Sequence, residues 1–357
     1  MKKVCVIRGD GIGPDVVDAA LHVVDAAMGV GALDLFEADA GLSCYKKTGS
    51  YLPEDTIAAI GDSDAVLFGA ISSPDCGVKD YRPVVPRIRR EFDLYANLRP
   101  FSNYLLSSKE IDILLVRENT EGLYGVPEEE DAEGVTTFRR ITRKGCERIS
   151  KFAFDLACER KRSKVTCAHK ANVLRKSDGL FRQIFYEQAE SSMVRQGDSY
   201  SCSDDLKTQA AAAASSNERK IVADDIFIDN CAMQLILNPQ RFDVIVTLNL
   251  YGDILSDELA GLVGGLGFAP SANIGDDLAM FEPVHGSAPD IAGRGIANPT
   301  AAILSAAMML GHLGFGDAAK RIDNAVRDAY AEGAATPDCG GFMKTDEFTR
   351  RILGFLG

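Results

Sequence analysis

Short apolar runs and helix-like segments alternate from the first residues of the chain, and this alternation is the feature that most constrains the fold. The runs "KKVCVI", "ALDLFEA" and "DAVLFGA" are typical of buried strands, and the segments "GPDVVDAALHVVDAAM" and "PEDTIAAIG" between them are typical of helices. Farther along, "IDILLVRE" and "FDVIVTLNL" repeat the strand pattern. This rhythm predicts an α/β fold built on a mostly parallel sheet.

Composition narrows the class of protein. The 357 residues, of which 46% are hydrophobic, suffice for two domains or one large α/β unit. A net charge of −13 argues against a nucleic-acid partner or an anionic membrane surface. No apolar stretch reaches the roughly 18 residues of a membrane span, and the chain opens with a strand-like run instead of a signal peptide. Nine cysteines without a C-x-x-C pair favour reduced thiols in a cytoplasm.

The stretch "RGDGIGPDVV" has the ingredients of a dinucleotide-binding turn, namely a preceding strand, three glycines and a helix-like continuation. The spacing differs, because Gly9, Gly11 and Gly13 form G-x-G-x-G and the fingerprint needs two residues before its last glycine. Pro14 suits the first turn of a helix. From these residues alone, a structural turn and a ligand-contacting loop are equally good interpretations.

Arginines cluster in "RIRREFDLYANLRP" and at the end of the strand-like run "LLVR". Guanidinium groups bind carboxylates through paired hydrogen bonds, so convergent arginines predict a di- or tricarboxylate ligand. Arg117 is the strongest candidate, since the ends of strands are where α/β enzymes place ligands. Arg89 and Arg99 are further candidates, whereas Arg87 and Arg90 are better explained as solvated surface charges.

Asp253 and Asp257 stand four residues apart near the start of "NLYGDILSDELAGLVGGLG". Two carboxylates at this helical spacing repel each other unless a cation lies between them, which predicts a divalent metal site. Asp229, in "IFIDNCAMQ", is a candidate third ligand, and oxygen-only ligands favour Mg²⁺ or Mn²⁺ over Zn²⁺. The alternative is that both acids only stabilise the positive end of a helix dipole.

Candidate proton carriers lie in two other segments. Lys170 and Asn172 follow a strand-like run in "TCAHKANVL", and Tyr124 lies in "ENTEGLYG". A lysine or a tyrosine beside a metal-bound hydroxy acid can carry protons, because desolvation or a nearby cation lowers its pKa toward neutrality. Taken singly, each is better explained as a structural residue. His169 has no second histidine nearby and is expected to be packed or hydrogen-bonded and not a metal ligand.

The stretch "FEPVHGSAPDIAGRGIANPTA" predicts a nucleotide-binding loop. His285, Gly286, Ser287 and Ala288 form a segment of mostly small residues that can bring backbone N–H groups against phosphates. Asp290 follows where a carboxylate can accept both hydroxyl groups of an adenosine ribose.

Six motifs in order, "GDGIG", "DLYANLRP", "RENTEGLY", "HKAN", "NLYGDILSD" and "HGSAPDIAG" with "IANP", together resemble the β-decarboxylating dehydrogenases of 2-hydroxy acids. These are the isocitrate, 3-isopropylmalate and homoisocitrate dehydrogenases, and the match runs from Gly9 almost to the C-terminus. The resemblance implies an α/β two-domain fold with a mixed central sheet that is not a Rossmann fold. Residues 1–98 and 250–357 would form a large cofactor-binding domain, and 99–249 a small domain with a dimerisation arm near 125–145. Independently of the resemblance, the small residues of "TQAAAAASSNERK" predict a low-complexity surface insertion near 200–220.

The resemblance also implies the reaction and the roles of matching residues. The reaction is oxidative decarboxylation of a 3-substituted malate with NAD and Mg²⁺ or Mn²⁺. The working unit is a homodimer, or a tetramer, in which Lys170 and Asp229 reach into the partner's active site. The implied residues are Tyr124 and Lys170 for acid–base chemistry; Asp229, Asp253 and Asp257 for the metal; Arg89, Arg99, Arg117 and Asn172 for the substrate; and His285, Gly286, Ser287, Ala288, Asp290, Ile291 and Asn298 for NAD.

Cofactor choice follows from two of these positions. Asp290 and Ile291 match family members that use NAD, whereas NADP users carry Lys and Tyr there. An anionic Asp290 would repel the 2′-phosphate of NADP, which gives the match a physical reason.

The substrate is less constrained. Isocitrate enzymes of the family carry a serine and an asparagine where this chain has Pro83 and Val85, and an apolar Val85 suits an isopropyl group. Against this, "ENTEGLY" is the isocitrate and homoisocitrate form, shared by some archaeal-type isopropylmalate enzymes, and Arg82 could meet a distal carboxylate. The sequence therefore favours 3-isopropylmalate and leaves isocitrate and homoisocitrate open. A non-catalytic regulatory subunit is a remote alternative, because such subunits usually lose catalytic residues that are present here.

Overall fold

The computed structural model describes residues 1–72, 83–105, 109–124, 126–196 and 221–357. These residues form two compact units. The first contains Met1–Leu94, Asn103–Ser107 and Ala260–Gly357, and the second contains Tyr95–Ser102 and Ser108–Leu259. The domain boundaries and roles expected from the sequence stay predictions. The expected insertion near 200–220 and Arg82 lie outside the described residues.

Strands and helices alternate along the described chain as the sequence predicts. The strands are β1 (Lys3–Gly9), β2 (Asp34–Glu37), β3 (Ala65–Ala70), β4 (Ala96–Ser102), β5 (Asp112–Glu118), β6 (Glu128–Glu130), β7 (Val135–Thr137), β8 (Lys164–His169), β9 (Val222–Phe227), β10 (Val244–Thr247), β11 (Pro270–Ile274) and β12 (Ala279–Pro283). The helices are α1 (Gly13–Met28), α2 (Leu42–Thr48), α3 (Glu54–Gly61), α4 (Val84–Glu91), α5 (Arg143–Glu159), α6 (Ser177–Gln196), α7 (Ile228–Leu237), α8 (Asn249–Val263), α9 (Thr300–His312), α10 (Gly316–Ala331) and α11 (Thr345–Leu353).

The first unit contains a mixed sheet in which β2, β1, β3, β12 and β11 lie side by side in that order. Neighbouring strands are parallel except for β11 and β12, which are antiparallel. Pro14 occupies the first turn of α1, where its fixed φ is compatible with a helix and its missing N–H costs nothing. The alanine-rich helix α9 is buried along nearly its whole length.

The second unit contains another mixed run of strands, in the order β4, β5, β10, β8 and β9. Only β4 and β5 are antiparallel, so β5, β10, β8 and β9 all point the same way. Their carboxyl ends therefore share one edge, which is where parallel sheets place ligands. Arg117, Asn249, Lys170 and Asp229 all lie at or just beyond these four ends.

Strands β6 and β7 form an exposed antiparallel hairpin. Its turn is closed by Asp131, whose Oδ1 accepts the backbone N–H groups of Glu133 and Gly134 at 2.8 and 2.9 Å. Strand β7 follows the acidic run "PEEEDAEG" and ends in the first two residues of the stretch "TTFRRIT". The other strand lies in the acidic run, because the turn at Asp131 folds that run back against β7.

In the part of the chain that the structure describes, no helix is long and apolar enough to cross a membrane. The seven cysteines there are free thiols. Burial raises the pKa of Cys5, Cys146 and Cys231 to about 12, so these thiols stay protonated at neutral pH.

Candidate active site

Arg117 lies near the end of β5, beside Thr247 of the neighbouring β10. Its side chain is only 2% exposed, so its charge requires partners inside the protein. Asn249, the first residue of α8, is one partner, since its Oδ1 accepts from Arg117 Nε at 3.1 Å and from Nη2 at 2.8 Å. Helix α8 then passes so close that a Cβ at Gly252 would lie 2.5 Å from Arg117 Cγ. A side chain at position 252 would therefore clash with Arg117 in its observed position.

Asp253, the next residue of α8, joins Arg117 to two other predicted residues. Its Oδ1 accepts a hydrogen bond from Arg117 Nη1 and lies 3.8 Å from Arg99 Nη1. Its Oδ2 accepts from the hydroxyl of Tyr124 at 2.6 Å, and the Arg117 guanidinium lies 5.1 Å from the centre of the Tyr124 ring. The structure therefore brings Arg99, Arg117, Tyr124 and Asp253 together, and we call these four residues the Asp253 cluster.

The charge of Asp253 is set by these contacts. Burial raises the pKa of Asp253, but the positive charge of Arg117, the hydrogen bond from Tyr124 and the charge of Arg99 outweigh burial and lower the pKa below its ordinary value. Asp253 is therefore anionic at neutral pH, with 43% of its side chain exposed. Asp257 lies one helical turn farther along α8 and is exposed. Carboxylate oxygens on one helix face are the donor type that Mg²⁺ and Mn²⁺ prefer.

Lys170 and Asp229 form a separate pair. Strands β8 and β9 are parallel with His169 beside Phe227, so the residues that follow the two strands emerge together. Lys170 Nζ donates to Asp229 Oδ1 at 2.5 Å, and this hydrogen bond lowers the pKa of Asp229. The Lys170 side chain is 24% exposed and that of Asp229 is 66% exposed. Asn172 lies exposed in the turn after Lys170.

Within the described residues of this chain, the three predicted metal ligands do not lie together. Among the described residues, no group of three or more His, Cys, Asp or Glu side chains is placed to hold a metal ion. Asp253 and Asp257 share α8, whereas Asp229 contacts Lys170. The carboxylate donors fit a hard divalent cation in their chemistry.

Arg89, on α4, belongs to the first unit. Its Nη2 donates to Glu282 Oε1 at 3.0 Å, and Asn273 donates to the same oxygen at 2.8 Å. Arg89 Nε is buried and has no hydrogen-bond partner among the described residues. Val85 lies one helical turn earlier, half-buried, and packs partly against the hydrophobic core.

The other two arginines of α4 lie on the protein surface. Arg87 pairs with Glu54 at 2.8 Å, and Arg90 donates to the carbonyl of Pro86 in its own helix. The prediction that both are surface charges is confirmed.

The glycine turn after β1 supports the predicted cofactor loop. Gly11 has φ +61°, and a Cβ there would lie 1.9 Å from the carbonyl oxygen of Ser287. The same carbonyl accepts the N–H of Ile12 at 2.9 Å, and Ser287 Oγ accepts from the Ser72 hydroxyl at 2.8 Å. A glycine is required at position 11 because the turn after β1 packs directly against the backbone of Ser287.

The predicted cofactor residues divide into a buried and an exposed group. Burial lowers the pKa of His285, and its Nε2 is buried without a hydrogen-bond partner among the described residues. Asn298 is buried and fully engaged: Nδ2 donates to Asp338 at 3.1 Å, and Oδ1 accepts the N–H of Thr300 at 3.0 Å. Asp290 is exposed. A ligand can therefore reach Asp290 directly, whereas the Asn298 side chain already holds two other parts of the chain.

The chain also matches a family model. Residues 3–352 match the model described as isocitrate/isopropylmalate dehydrogenase. The chain belongs to this family. As a member of the isocitrate/isopropylmalate dehydrogenase family it is a decarboxylating dehydrogenase, and the family uses NAD(P) and a divalent metal.

Individual relatives are similar over their whole length. A 3-isopropylmalate/3-methylmalate dehydrogenase of Methanocaldococcus jannaschii is 49% identical, with 99% of this chain and 98% of the relative covered. A homoisocitrate dehydrogenase of the same organism is 45% identical, with 100% and 98% covered. The crystal structure of isocitrate dehydrogenase from Methylococcus capsulatus has a TM-score of 0.86 and 40% identity, covering 100% of this chain and 99% of that one. The predicted family fold is confirmed, while the relatives' names divide among three acids.

Two residues that hydrogen-bond to the site arginines are not predicted from the sequence. Asn249 holds Arg117, and its signal is its position at the end of "FDVIVTLN", where a polar side chain follows a buried strand. Glu282 holds Arg89, and its signal is a carboxylate in the buried strand "AMFEP", which requires a cationic or donor partner.

Proposed function

We propose that this protein catalyses the NAD-dependent oxidative decarboxylation of 3-isopropylmalate to a 2-keto acid and CO₂. The observation that carries the proposal is the Asp253 cluster, in which Arg99, Arg117 and Tyr124 converge on one carboxylate. Buried arginines can bind substrate carboxylates in paired hydrogen bonds, and Arg117 lies near the carboxyl end of a strand in a parallel run, where such folds place ligands. A tyrosine within hydrogen-bond reach of the same point supplies a proton donor.

Each residue has a defined task in this reaction. Arg89, Arg99 and Arg117 bind the carboxylates of the acid and orient it. Lys170, as a neutral amine, accepts the proton of the 2-hydroxyl as hydride leaves C2, and NAD supplies the hydride acceptor when bound. The β-carboxylate then leaves as CO₂ with its bonding electrons retained by the substrate, and Tyr124 delivers a proton to the carbon that it left.

Asp253 and Asp257, with Asp229 of a second copy, are proposed to hold Mg²⁺ or Mn²⁺. The support is the donor chemistry, since all three ligands are carboxylates and two of them lie one turn apart on α8. When bound, the metal supplies Lewis-acid polarisation of the substrate's hydroxyl or carbonyl oxygen.

NAD is proposed to bind along the loop from His285 to Ile291, with Asn298 near the adenine. His285 Nδ1 lies 3.0 Å from the carbonyl oxygen of Gly286, to which it donates, so the unpartnered Nε2 is an acceptor for an N–H or O–H of the cofactor. Asp290 is exposed and free to accept ribose hydroxyls while repelling a 2′-phosphate.

A second copy of this chain is proposed to complete the site, in a homodimer or a tetramer built from such dimers. The support is that Lys170 and Asp229 contact each other and no other predicted site residue among the contacts described above. Near them, α7 and α8 leave large apolar side chains uncovered: Met233 (49% exposed), Ile236 (51%), Leu237 (55%) and Ile254 (59%). Exposed large apolar side chains of this kind are typical of subunit contacts when they form a patch.

The choice of acid rests on α4. Val85 and Arg89 are four residues apart on this helix and share a face. An isopropyl group can pack beside Val85 at little cost in free energy, because it forms no strong interactions with water. A distal carboxylate there would lose its hydrating water molecules without gaining a hydrogen-bond or charge partner. A methylene-sized apolar contact contributes about 1–3 kcal/mol, so related acids are expected to be turned over more slowly.

The test is kcat/KM for 3-isopropylmalate, isocitrate and homoisocitrate, measured by NADH formation at one pH and one metal concentration. We expect the highest value for 3-isopropylmalate. Arg82→Ala tests the alternative, with Arg90→Ala as the control because Arg90 lies exposed on α4. If isocitrate or homoisocitrate gives the highest value, and only Arg82→Ala removes that preference, then Arg82 sets specificity and the assignment of Val85 is wrong.

A further inference from the structure

His169 is fully buried, and both of its ring nitrogens are engaged. Nδ1 lies 3.0 Å from the backbone nitrogen of Ala171, and Nε2 lies 3.0 Å from Asp225 Oδ2. The expectation that His169 is a packed, hydrogen-bonded residue is confirmed. These two bonds connect the end of β8 with the neighbouring strand β9 on one side and with the segment that carries Lys170 on the other.

The hydrogen-bond roles define one tautomer of His169. A backbone N–H can only donate, so Nδ1 must be the unprotonated acceptor and Nε2 must carry the proton that Asp225 accepts. Asp225 Oδ1 accepts from Arg182 at 2.9 Å and from the Tyr186 hydroxyl at 2.5 Å. Burial raises the pKa of Asp225, but hydrogen bonds from His169, Arg182 and Tyr186 outweigh burial and hold it well below the usual range. Asp225 is therefore an anion that keeps the proton on Nε2.

The consequence falls on the backbone of Lys170. The N–H of Lys170 donates to the buried carboxylate of Asp178 at 2.7 Å, and the N–H of Ala171 donates to His169. These two N–H groups belong to the peptide planes on either side of the Lys170 Cα. Since φ and ψ are the only soft backbone dihedrals, fixing both planes fixes the direction of the Cα–Cβ bond from which the Lys170 side chain starts. The carbonyl of Lys170 also accepts N–H groups of the following turn, from Val173 and Leu174, at 3.0 and 2.9 Å.

We propose that His169 is a positioning residue for catalysis, which holds the peptide group after Lys170 through Nδ1 and whose tautomer is set by Asp225. The proposal rests on the proposed function, in which Lys170 is the proton acceptor. Lys170 Nζ must reach the substrate hydroxyl within hydrogen-bond distance, and a small displacement from that position lowers the reaction rate strongly. The bonds from Val173 and Leu174 hold the same peptide group by its oxygen, so loss of His169 loosens Lys170 without releasing it.

Two substitutions separate the two bonds of His169. In His169→Asn the amide oxygen can accept the N–H two residues on, as asparagine does in Asx turns, while the contact with Asp225 is lost. In His169→Gln the longer side chain can still donate to Asp225 but no longer presents an acceptor to Ala171. Asp225→Asn disturbs the same bond to Ala171 without changing His169 itself. The asparagine oxygen must keep accepting from Arg182 and Tyr186, so its NH₂ group faces His169 Nε2. Nε2 must then be the acceptor, and the His169 proton moves to Nδ1.

The experiment measures kcat, KM for NAD, and hydrogen–deuterium exchange of the Ala171 amide in the full-length enzyme. His169→Gln and Asp225→Asn are expected to lower kcat by roughly 10- to 100-fold with little change in KM for NAD, and to speed exchange at Ala171. His169→Asn is expected to stay close to the parent in both readouts. Tyr186→Phe is the control, since it removes one donor to Asp225 and leaves the His169 bonds in place.

Two results would overturn the inference. One is a parent-like kcat in a folded His169→Gln or Asp225→Asn variant. The other is an equal loss of kcat in His169→Asn and His169→Gln, which would mean that the bond to Ala171 does not matter. Lys170→Met, measured alongside, separates this inference from the proposed function. If Lys170→Met keeps its turnover, the role of Lys170 and the positioning of Lys170 both fail; if it loses turnover while His169→Gln does not, only the positioning fails.

Discussion

Gly252→Ala adds a single methyl group where helix α8 passes Arg117, and its effect can be worked out from the structure. The new Cβ would lie 2.5 Å from Arg117 Cγ, 2.7 Å from Cβ and 3.0 Å from Cδ. Carbon atoms in contact stay about 3.5 Å apart, so the arginine stem must retreat by about 1 Å. Arg117 cannot retreat without stretching its bonds to Asn249 and Asp253.

The expected result is a loss of catalysis larger than the loss of stability. A displacement of about 1 Å in a substrate-binding group lowers kcat/KM by roughly 100-fold, while overpacking costs about 1–3 kcal/mol of folding free energy. Steady-state kinetics with the preferred acid, together with the thermal midpoint, measure the two effects. A parent-like kcat/KM in Gly252→Ala would refute the claim that Arg117 binds the substrate from this position.

Gly261→Ala is the matched control for this substitution. Gly261 lies on the same helix, and a Cβ there would meet no atom within 4 Å. Alanine is preferred over glycine inside a helix by about 0.5–1 kcal/mol, so this variant should be slightly more stable than the parent. Its kcat/KM should be unchanged.

Three other predictions test the remaining parts of the site. Lys170→Met and Tyr124→Phe should leave the fold intact, by circular dichroism and thermal unfolding, and lower kcat by roughly two to four orders of magnitude, the range for a lost acid–base group; an active variant would mean that its residue was misassigned. Chelation of divalent metal should abolish turnover, and Mg²⁺ or Mn²⁺ should restore it, because carboxylate oxygens are the proposed ligands; unchanged turnover after chelation would remove the metal from the account. NAD should be preferred to NADP, and Asp290→Lys combined with Ile291→Tyr should weaken the use of NAD; equal kcat/KM with both cofactors in the parent would contradict the electrostatic argument.

The sequence pattern predicts many helices and strands of the fold but misses three strands. The helix pattern over "GPDVVDAALHVVDAAM" matches α1, and the apolar runs match β1, β2, β3, β5 and β10. Strands β4, β11 and β12 are not recognised from the pattern, because "ANLRPFS", "PSANI" and "AMFEP" each contain a proline, which is unusual within a strand. Their assignment depends on neighbouring strands that only the folded chain supplies.

For the candidate site, sequence reasoning supplies the residue types but not the pairing. Arg117 and Asp253 are 136 positions apart in the chain, and their contact depends on the register of β5 with β10. Asp229 is a candidate third metal ligand from its residue type alone, and the parallel register of β8 with β9 places it against Lys170 in the same chain. Motif spacing contains no information about either register.

The proposal that two subunits share each active site is tested most directly by combining two inactive variants in one dimer. Lys170→Met and Asp253→Asn subunits carrying different tags would be co-expressed, and the mixed dimer purified through both tags. If Lys170 serves the partner's site and Asp253 its own, one of the two sites in the mixed dimer is intact, and activity should return to about half that of the parent. If each site is built from one chain, both sites of the mixed dimer lack a residue, and activity no higher than that of either variant alone would contradict the account.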